Sequence, residues 1–168
     1  SETIHVKVWK DEVAAHEVSS DVAADISKLL AKRVKLVRIA DEVDRPGRFS
    51  DNQPLLVLTE ASVKGLEERA KASLSIVRFR PNIVIREAPA HAEDEWPFFK
   101  IGKLMFMRGK PCTRCKITQV HPLTGEVGEE PLKTFMTYRK LEKGIAFGCY
   151  YVNDQNGDIQ VGQKLIVT

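Results

Sequence analysis

The stretch "FFKIGKLMFMRG" (Phe98–Gly109) contains two short apolar runs separated by a glycine. Gly102 is a turn residue, and the runs beside it have the length and composition of β-strands. Comparable runs recur before and after it, with turn signals such as "HPLTGEVG" and "DQNGD" between them. Several short strands at this spacing predict a barrel or closed sheet for the chain from Val77 onward. The other predicted strands are "VRFRPNIVI", "CKITQV", "GIAFGCYYV" and "GDIQVGQKLIVT".

The N-terminal part mixes strands with helices. "SETIHVKVW" alternates apolar and polar residues, as a half-buried strand does. "SSDVAADISKLLAKR" has Ser19 or Ser20 as a cap and predicts a core-facing amphipathic helix. "VKLVRI" and the fully apolar "PLLVL" predict strands, whereas "TEASVKGLEERAK" and "PLKTFMTYRK" predict helices. The predicted fold class is therefore α+β, a β-rich barrel or closed sheet with a few flanking helices.

Length and composition limit the functional classes. A chain of 168 residues, 43% hydrophobic and 29% charged, is long enough for one domain with a proper core. Its net charge of +3 is mild and its basic residues are interspersed with acids, so we expect no nucleic-acid partner. No run reaches membrane-spanning length and no secretory leader opens the chain. Three cysteines make no disulfide framework, which favours a reducing, cytoplasmic location.

Two of the three cysteines lie three residues apart in "GKPCTRCKITQV" (Gly109–Val120). Structural zinc needs four ligands, and no second close pair is present. A dithiol redox pair normally opens a helix, whereas the β-branched "CKITQV" predicts a strand. A single thiolate could bind a soft transition metal, and Lys110, Arg114 and Lys116 would favour that thiolate. Buried cysteines are also common small hydrophobes, so the residues alone leave these alternatives open.

Several sequence motifs follow one another in order along the chain. They are "FSDNQPLLVLTEASV", "FRPNIVI", "AEDEW", "KPCTRCKITQVHPLTGE", "EPLKTFMTYR", "FG" (Phe147–Gly148) and "GDIQVGQ". Together they resemble the MOSC domain, in the branch of the mitochondrial amidoxime reducing component and its bacterial relatives. The resemblance implies one MOSC-like domain over residues 1–168, with a strand–helix–strand lead-in at 1–47 and a MOSC core at 48–168.

The resemblance implies a molybdenum cofactor, molybdopterin with its metal, ligated by one cysteine thiolate. The family's ligand position falls on Cys115, and Cys112 is its companion without a metal bond. Asp51 falls on a position near the metal, where a carboxylate could deliver or accept a proton; a turn-forming role is the alternative. Asn52 and Gln53 stand where the family has smaller hydroxyl residues. The expected cofactor-binding residues are Arg80, Asn82, Thr113, Arg114 and Asn52.

The activity implied by the resemblance is reduction of small N-hydroxylated or N-oxide molecules. Electrons would come from a separate protein, which could be a reductase, a ferredoxin or a cytochrome b5-like protein. The family is also associated with pyridoxal phosphate binding. The rival expectation is a non-catalytic MOSC-like domain that handles sulfur or cofactor, or that binds zinc through Cys112 and Cys115. Because the family has a further N-terminal β-rich segment, we expect either a fragment of a larger enzyme or a reduced relative.

Overall fold

A computed structural model of the chain describes residues 3–41, 49 and 53–168. The chain divides into two compact units, Ser1–Asn52 and Gln53–Thr168, and each is described by itself. The division falls close to the predicted boundary between lead-in and core. That all 168 residues form one MOSC-like domain stays a prediction.

The first unit is a three-stranded antiparallel sheet with one helix. Its strands are β1 (Thr3–Val8), β2 (Asp11–Glu17) and β3 (Val37–Ile39), in the order β1-β2-β3. The sequence predicted β1 and β3 but not β2, "DEVAAHE". Acidic residues and alanine are poor strand formers, so the pattern gave little signal. β2 is instead held by pairing on both edges, with Val6 of β1 opposite Val13.

The helix of this unit, α1 (Ser20–Leu29), begins as predicted. Ser19 is the N-cap, and its hydroxyl accepts a hydrogen bond of 3.3 Å from the Val22 amide. The expectation that the apolar residues of this helix face a core was wrong. Val22, Leu29 and Leu30 are exposed, and Ala23 is the buried residue of the helix. Helical periodicity defines an apolar stripe but does not show that anything packs on it.

The second unit is built on a seven-stranded mixed sheet that curls into a half-barrel, which confirms the α+β prediction. The order is β10-β6-β7-β9-β4-β5, with β8 paired to β9. β4 and β5 are parallel, and the other pairs are antiparallel. Two helices, α2 (Glu60–Ala70) and α3 (Leu132–Tyr138), belong to this unit. The strands are β4 (Leu55–Thr59), β5 (Ile83–Ile85), β6 (Phe98–Ile101), β7 (Leu104–Thr113), β8 (Lys140–Leu141), β9 (Gly144–Val152) and β10 (Leu165–Val167).

The sheet separates two apolar clusters, and β4 contributes to both. Val57 packs into one cluster and Leu58 into the other, because successive side chains of a strand point to opposite faces. This explains why "PLLVL" is apolar at every position, and it confirms the predicted strand, which is buried on both faces. The first cluster includes Phe99, Phe106 and Tyr151, and the second includes Leu66, Phe79, Phe135 and Phe147.

Two of the predicted strands are wholly or partly helical turns. "CKITQV" forms a 3₁₀ helix at Lys116–Gln119, and the first half of "VRFRPNIVI" forms another at Ile76–Phe79. In the first case the Thr118 hydroxyl and amide both bind the Cys115 carbonyl, at 2.9 and 3.2 Å. These local bonds, together with tertiary contacts described below, override the β propensity of Ile117 and Val120.

Candidate functional site

The two thiols of the pair lie in different environments. Cys112 is the second-last residue of β7 and is buried, with 2% of its surface exposed. Cys115 is exposed and sits where the strand has ended and the 3₁₀ helix Lys116–Gln119 begins. Both are free of disulfides. That Cys115 is the metal ligand and Cys112 its companion without a metal bond stays a prediction.

Arg114 holds the buried thiol and links two segments. Its Nη1 donates to the Cys112 sulfur at 2.9 Å, and its Nη2 donates to the Phe79 carbonyl at 2.9 Å. The guanidinium also lies 5.6 Å from the centre of the Phe79 ring. Its Nε is buried and has no hydrogen-bond partner among the described residues. A buried N–H without an acceptor is costly, so this atom is a candidate donor to a bound group.

Arg80 follows Phe79 directly, so the Arg114 bonds to the Phe79 carbonyl and to Cys112 bring the main chain of Arg80 near Cys112. A residue before proline is usually extended, but Arg80, which precedes Pro81, is not. Arg80 closes the 3₁₀ helix Ile76–Phe79 in the left-handed conformation (φ 55°), with its amide bonded to the Val77 carbonyl at 3.0 Å. Its exposed side chain lines an open groove of about 430 Å³ with Ile76, Val77, Pro81 and Val84.

Asn82 has a structural task that the sequence did not reveal. Its Oδ1 accepts from the Leu56 amide at 2.8 Å, and its own amide donates to the Leu56 carbonyl at 2.8 Å. These bonds anchor the start of β5 to β4. Within the described part of the chain, the side-chain NH2 of Asn82 makes no hydrogen bond that would compete with a ligand. A cofactor-binding role for Asn82 stays a prediction.

Asp51 and Asn52 lie outside the described residues, and the next residue, Gln53, is described. Gln53 accepts a hydrogen bond through Oε1 from the Lys110 amide at 3.0 Å. It does so where β7 bulges between Arg108 and Pro111. At Gly109 an added Cβ would come 1.8 Å from the same Oε1, so the glycine makes room for this contact. This hydrogen bond therefore connects Gln53, which follows Asp51 by two residues, to β7, the strand that leads to the thiol pair.

Arg78 is the residue of this region that the sequence analysis missed. Its Nη1 donates to the carbonyls of Thr118 and Val120, both at 2.9 Å. It therefore supports the turn that follows Cys115, and it is itself 9% exposed. An arginine one position before a recognised motif carries no signal in a single sequence. Only the fold shows that Arg78 and Thr118, 40 residues apart, are in contact.

A second group of buried polar side chains lies around Glu93 of "AEDEW". Ser62 donates to Glu93 Oε1 at 2.9 Å and accepts from the His91 amide at 2.8 Å. Glu93 is fully buried, and burial raises the pKa of its carboxyl despite the Ser62 bond. Asp94 pairs with Arg139 at 2.5 Å. The described residues contain no group of three His, Cys, Asp or Glu side chains suited to a metal ion.

The contacts of Cys149 and of His121, the histidine after the thiol pair, indicate structural roles. Cys149 is buried in β9, and burial raises the pKa of its thiol to about 12. His121 accepts hydrogen bonds through Nδ1 from the amides of Leu123 and Thr124, at 3.3 and 3.2 Å. It therefore shapes the turn before "TGE". Neither residue joins Cys115 in a cluster of metal ligands among the described residues.

The thiol pair and the basic residues connected to it by sequence or by hydrogen bonds have chemistry that suits an anionic cofactor with a soft metal. We call Arg80, Thr113, Arg114 and Cys115 the thiol site. Cys115 offers a sulfur ligand, and Arg80 and Thr113 present exposed donors. The unpartnered Nε of Arg114 adds a donor without an acceptor. None of the described helices is both long enough and apolar enough to span a bilayer.

The second unit is a curled half-barrel of an α+β protein, and its exposed Cys115 thiol is the centre of a candidate metal site. The family model of the MOSC domain matches residues 44–166, and the chain belongs to that family. Residues of the thiol site lie within the matched range.

Curated relatives give a narrower comparison. Mitochondrial amidoxime-reducing component 1 is 38% identical in Homo sapiens over 70% of this chain, and 38% identical in Danio rerio over 74% of it. Mitochondrial amidoxime reducing component 2 of Bos taurus is 37% identical over 70% of the chain. The chain spans 37% to 39% of the length of these three relatives. Their names place them in mitochondria, which does not support the predicted cytoplasmic location.

Proposed function

We propose that this chain binds a molybdenum cofactor through the Cys115 thiolate and reduces N-hydroxylated or N-oxide substrates. The observation that carries the proposal is the exposed Cys115 thiol, next in sequence to Arg114, in a chain of the MOSC family. The names of the similar relatives, amidoxime-reducing components, support the reaction class. Because the chain spans well under half of those relatives, the activity of the whole protein is part of the proposal.

In this proposal the cofactor supplies the two-electron chemistry, and the protein's residues bind, orient and protonate. Cys115 is the metal ligand, and Cys112 stays with Arg114 inside the protein. Arg80, Thr113 and Arg114 donate to the phosphate and the pterin, since guanidinium and hydroxyl groups suit anionic acceptors. Asn82 contributes its free side-chain NH2, and Asn52 joins the same group of donors.

Cleavage of an N–O bond to amine and water consumes two electrons and two protons. We propose that Asp51 passes a proton toward the departing oxygen, with water as the proton source. Gln53 supports this role, because its bond to the Lys110 amide fixes the chain two residues after Asp51. The electrons come from a separate donor protein, for which a reductase, a ferredoxin or a cytochrome b5-like protein are the candidates.

Metal content of the protein tests the proposal. The chain is produced in a host that synthesises molybdopterin, as the native sequence and as Cys115→Ala and Cys112→Ala, and metals are measured by elemental analysis. We expect about one molybdenum per chain in the native protein, retained in Cys112→Ala and lost in Cys115→Ala. Zinc that depends on both thiols would instead support the non-catalytic rival. Protein that contains neither metal overturns the proposal.

The reaction is tested separately on the loaded protein. Reduction of benzamidoxime with a chemical electron donor should occur in the native protein and be abolished in Cys115→Ala. Asp51→Asn should retain the metal while its turnover falls about 100-fold, in the range typical of a lost general acid. Full turnover in Asp51→Asn would remove the carboxylate from the mechanism without removing the metal ligand.

A further inference from the structure

Arg78 is a buried cation whose hydrogen bonds go to main-chain carbonyls. Its Nη1 reaches the carbonyls of Thr118 and Val120 at 2.9 Å each, and its Nε has no partner. Among the described residues, no carboxylate forms an ion pair with it. Removing a guanidinium from water without a counter-charge is unfavourable. The two hydrogen bonds to carbonyl oxygens are therefore the interactions that compensate for the burial of the Arg78 charge.

Those two carbonyls belong to the turn that begins at Cys115. The Thr118 hydroxyl and amide bind the Cys115 carbonyl at 2.9 and 3.2 Å, and the Val120 amide binds the Ile117 carbonyl at 3.1 Å. Arg78 thus holds Thr118, and Thr118 holds the main chain of Cys115. A continuous series of hydrogen bonds runs from the buried guanidinium to the proposed ligand residue.

A second connection holds Cys115 from the other side. Arg114, the residue before it, reaches back to the Phe79 carbonyl in the 3₁₀ helix that contains Arg78. The two arginines therefore cross-link the same two segments in opposite directions, with Cys115 between them. Because the Cys115 side chain is exposed, its position depends on the main chain that these bonds fix.

We propose that Arg78 is a positioning residue for the Cys115 thiolate, which it acts on through Thr118. The inference rests on the proposed function, in which Cys115 ligates the metal. A ligand sulfur has to be held in a narrow range of positions for the metal's electronic structure to be uniform. The guanidinium suits this task, because the two N–H groups of Nη1 bind carbonyls on two residues. Lysine keeps the charge, but its side chain is one bond shorter, so its ammonium does not reach the position of Nη1.

Four variants test the inference in the full chain. Arg78→Lys retains the charge and Arg78→Met retains much of the volume. Thr118→Val replaces the hydroxyl that binds the Cys115 carbonyl with a methyl group. This variant tests the inference even if Arg78→Met does not fold. Arg86→Met is the matched control, since Arg86 is an exposed arginine of the same unit that pairs with Glu60 at 2.8 Å.

The first measurement is amide hydrogen exchange of the metal-free protein. Exchange at Thr118 and Val120 should accelerate on the order of tenfold in Arg78→Met, less in Arg78→Lys, and not in the control. The second measurement is electron paramagnetic resonance of the partly reduced molybdenum centre. Its g values should shift or broaden in the Arg78 variants and in Thr118→Val while metal content is retained.

The outcomes separate this inference from the proposed function. If the native protein holds no molybdenum, both fall. If the loaded variants give the native spectrum, the inference alone is overturned, because a residue with a merely structural role would lower stability without altering the metal signal. Altered spectra in all three variants, with the control unchanged, support it.

Discussion

The Arg114 guanidinium donates a hydrogen bond of 2.9 Å to the sulfur of Cys112, the inner member of the thiol pair. The same side chain binds the Phe79 carbonyl, so it holds the pair against the neighbouring segment. Cys115, one residue further along the chain, has its thiol exposed. A single arginine therefore accounts for the asymmetry of a pair that looks symmetric in the sequence.

This asymmetry predicts the order in which the thiols react. In the native metal-free protein, iodoacetamide should modify Cys115 well before Cys112 or Cys149, because those two are 2% and 1% exposed. Arg114→Met should raise the rate at Cys112 on the order of tenfold, since a bond that keeps the strand end closed is lost. Mass spectrometry of peptides gives the rates, with Arg86→Met as control. Equal rates at Cys112 and Cys115 in the native protein would contradict the described geometry.

Glu93 predicts a dependence of stability on pH. Burial raises the pKa of this carboxyl in the folded state above its ordinary value of 4.5. Below pH 4.5 both folded and unfolded states hold the proton, and no penalty arises. As the pH rises past that value the unfolded state ionises first, so the folded state loses stability until the folded pKa is passed.

Glu93→Gln keeps the shape and the Ser62 bond but does not titrate. Urea unfolding between pH 4 and pH 8 should therefore show the variant gaining stability relative to the native protein as pH rises. Glu129→Gln is the control, since Glu129 is an exposed carboxylate paired with Lys133. A constant difference between Glu93→Gln and the native protein across this range would show that Glu93 does not titrate differently in the two states.

We expect the effects of substituting Gly109 and Gln53 on the free energy of unfolding to be coupled. In Gly109→Ala the new methyl meets the Gln53 side chain, which has to move away and lose its bond to the Lys110 amide. We expect a loss of about 1 kcal/mol in the free energy of unfolding. In a Gln53→Ala background the same glycine substitution should be nearly neutral, because the obstruction is gone. Additive losses in the double variant would show that the two residues act independently.

Local patterns identified most of the secondary structure. The Ser19 and Thr59 caps, the apolar run of β4 and the paired strands around Gly102 are specified by neighbours within a few residues. Such interactions are encoded in composition and spacing, which a single sequence shows directly. The thiol pair, its basic neighbours and the MOSC motifs likewise lie within short segments. For this reason the family could be predicted before any coordinates, and Cys115 could be proposed as the metal ligand.

The tertiary structure decided what depends on contacts between distant residues. "CKITQV" has the composition of a strand, but Arg78 binds two of its carbonyls from 40 residues away and it forms a turn. The apolar stripe of α1 predicts burial, yet Leu29 is exposed. The spacing of Cys112 and Cys115 does not distinguish the two thiols. In the structure Cys112 is buried and bonded to Arg114, whereas Cys115 is exposed. The physical reason is that propensities act within a few residues, whereas burial and hydrogen-bond partners are set by what the fold brings together.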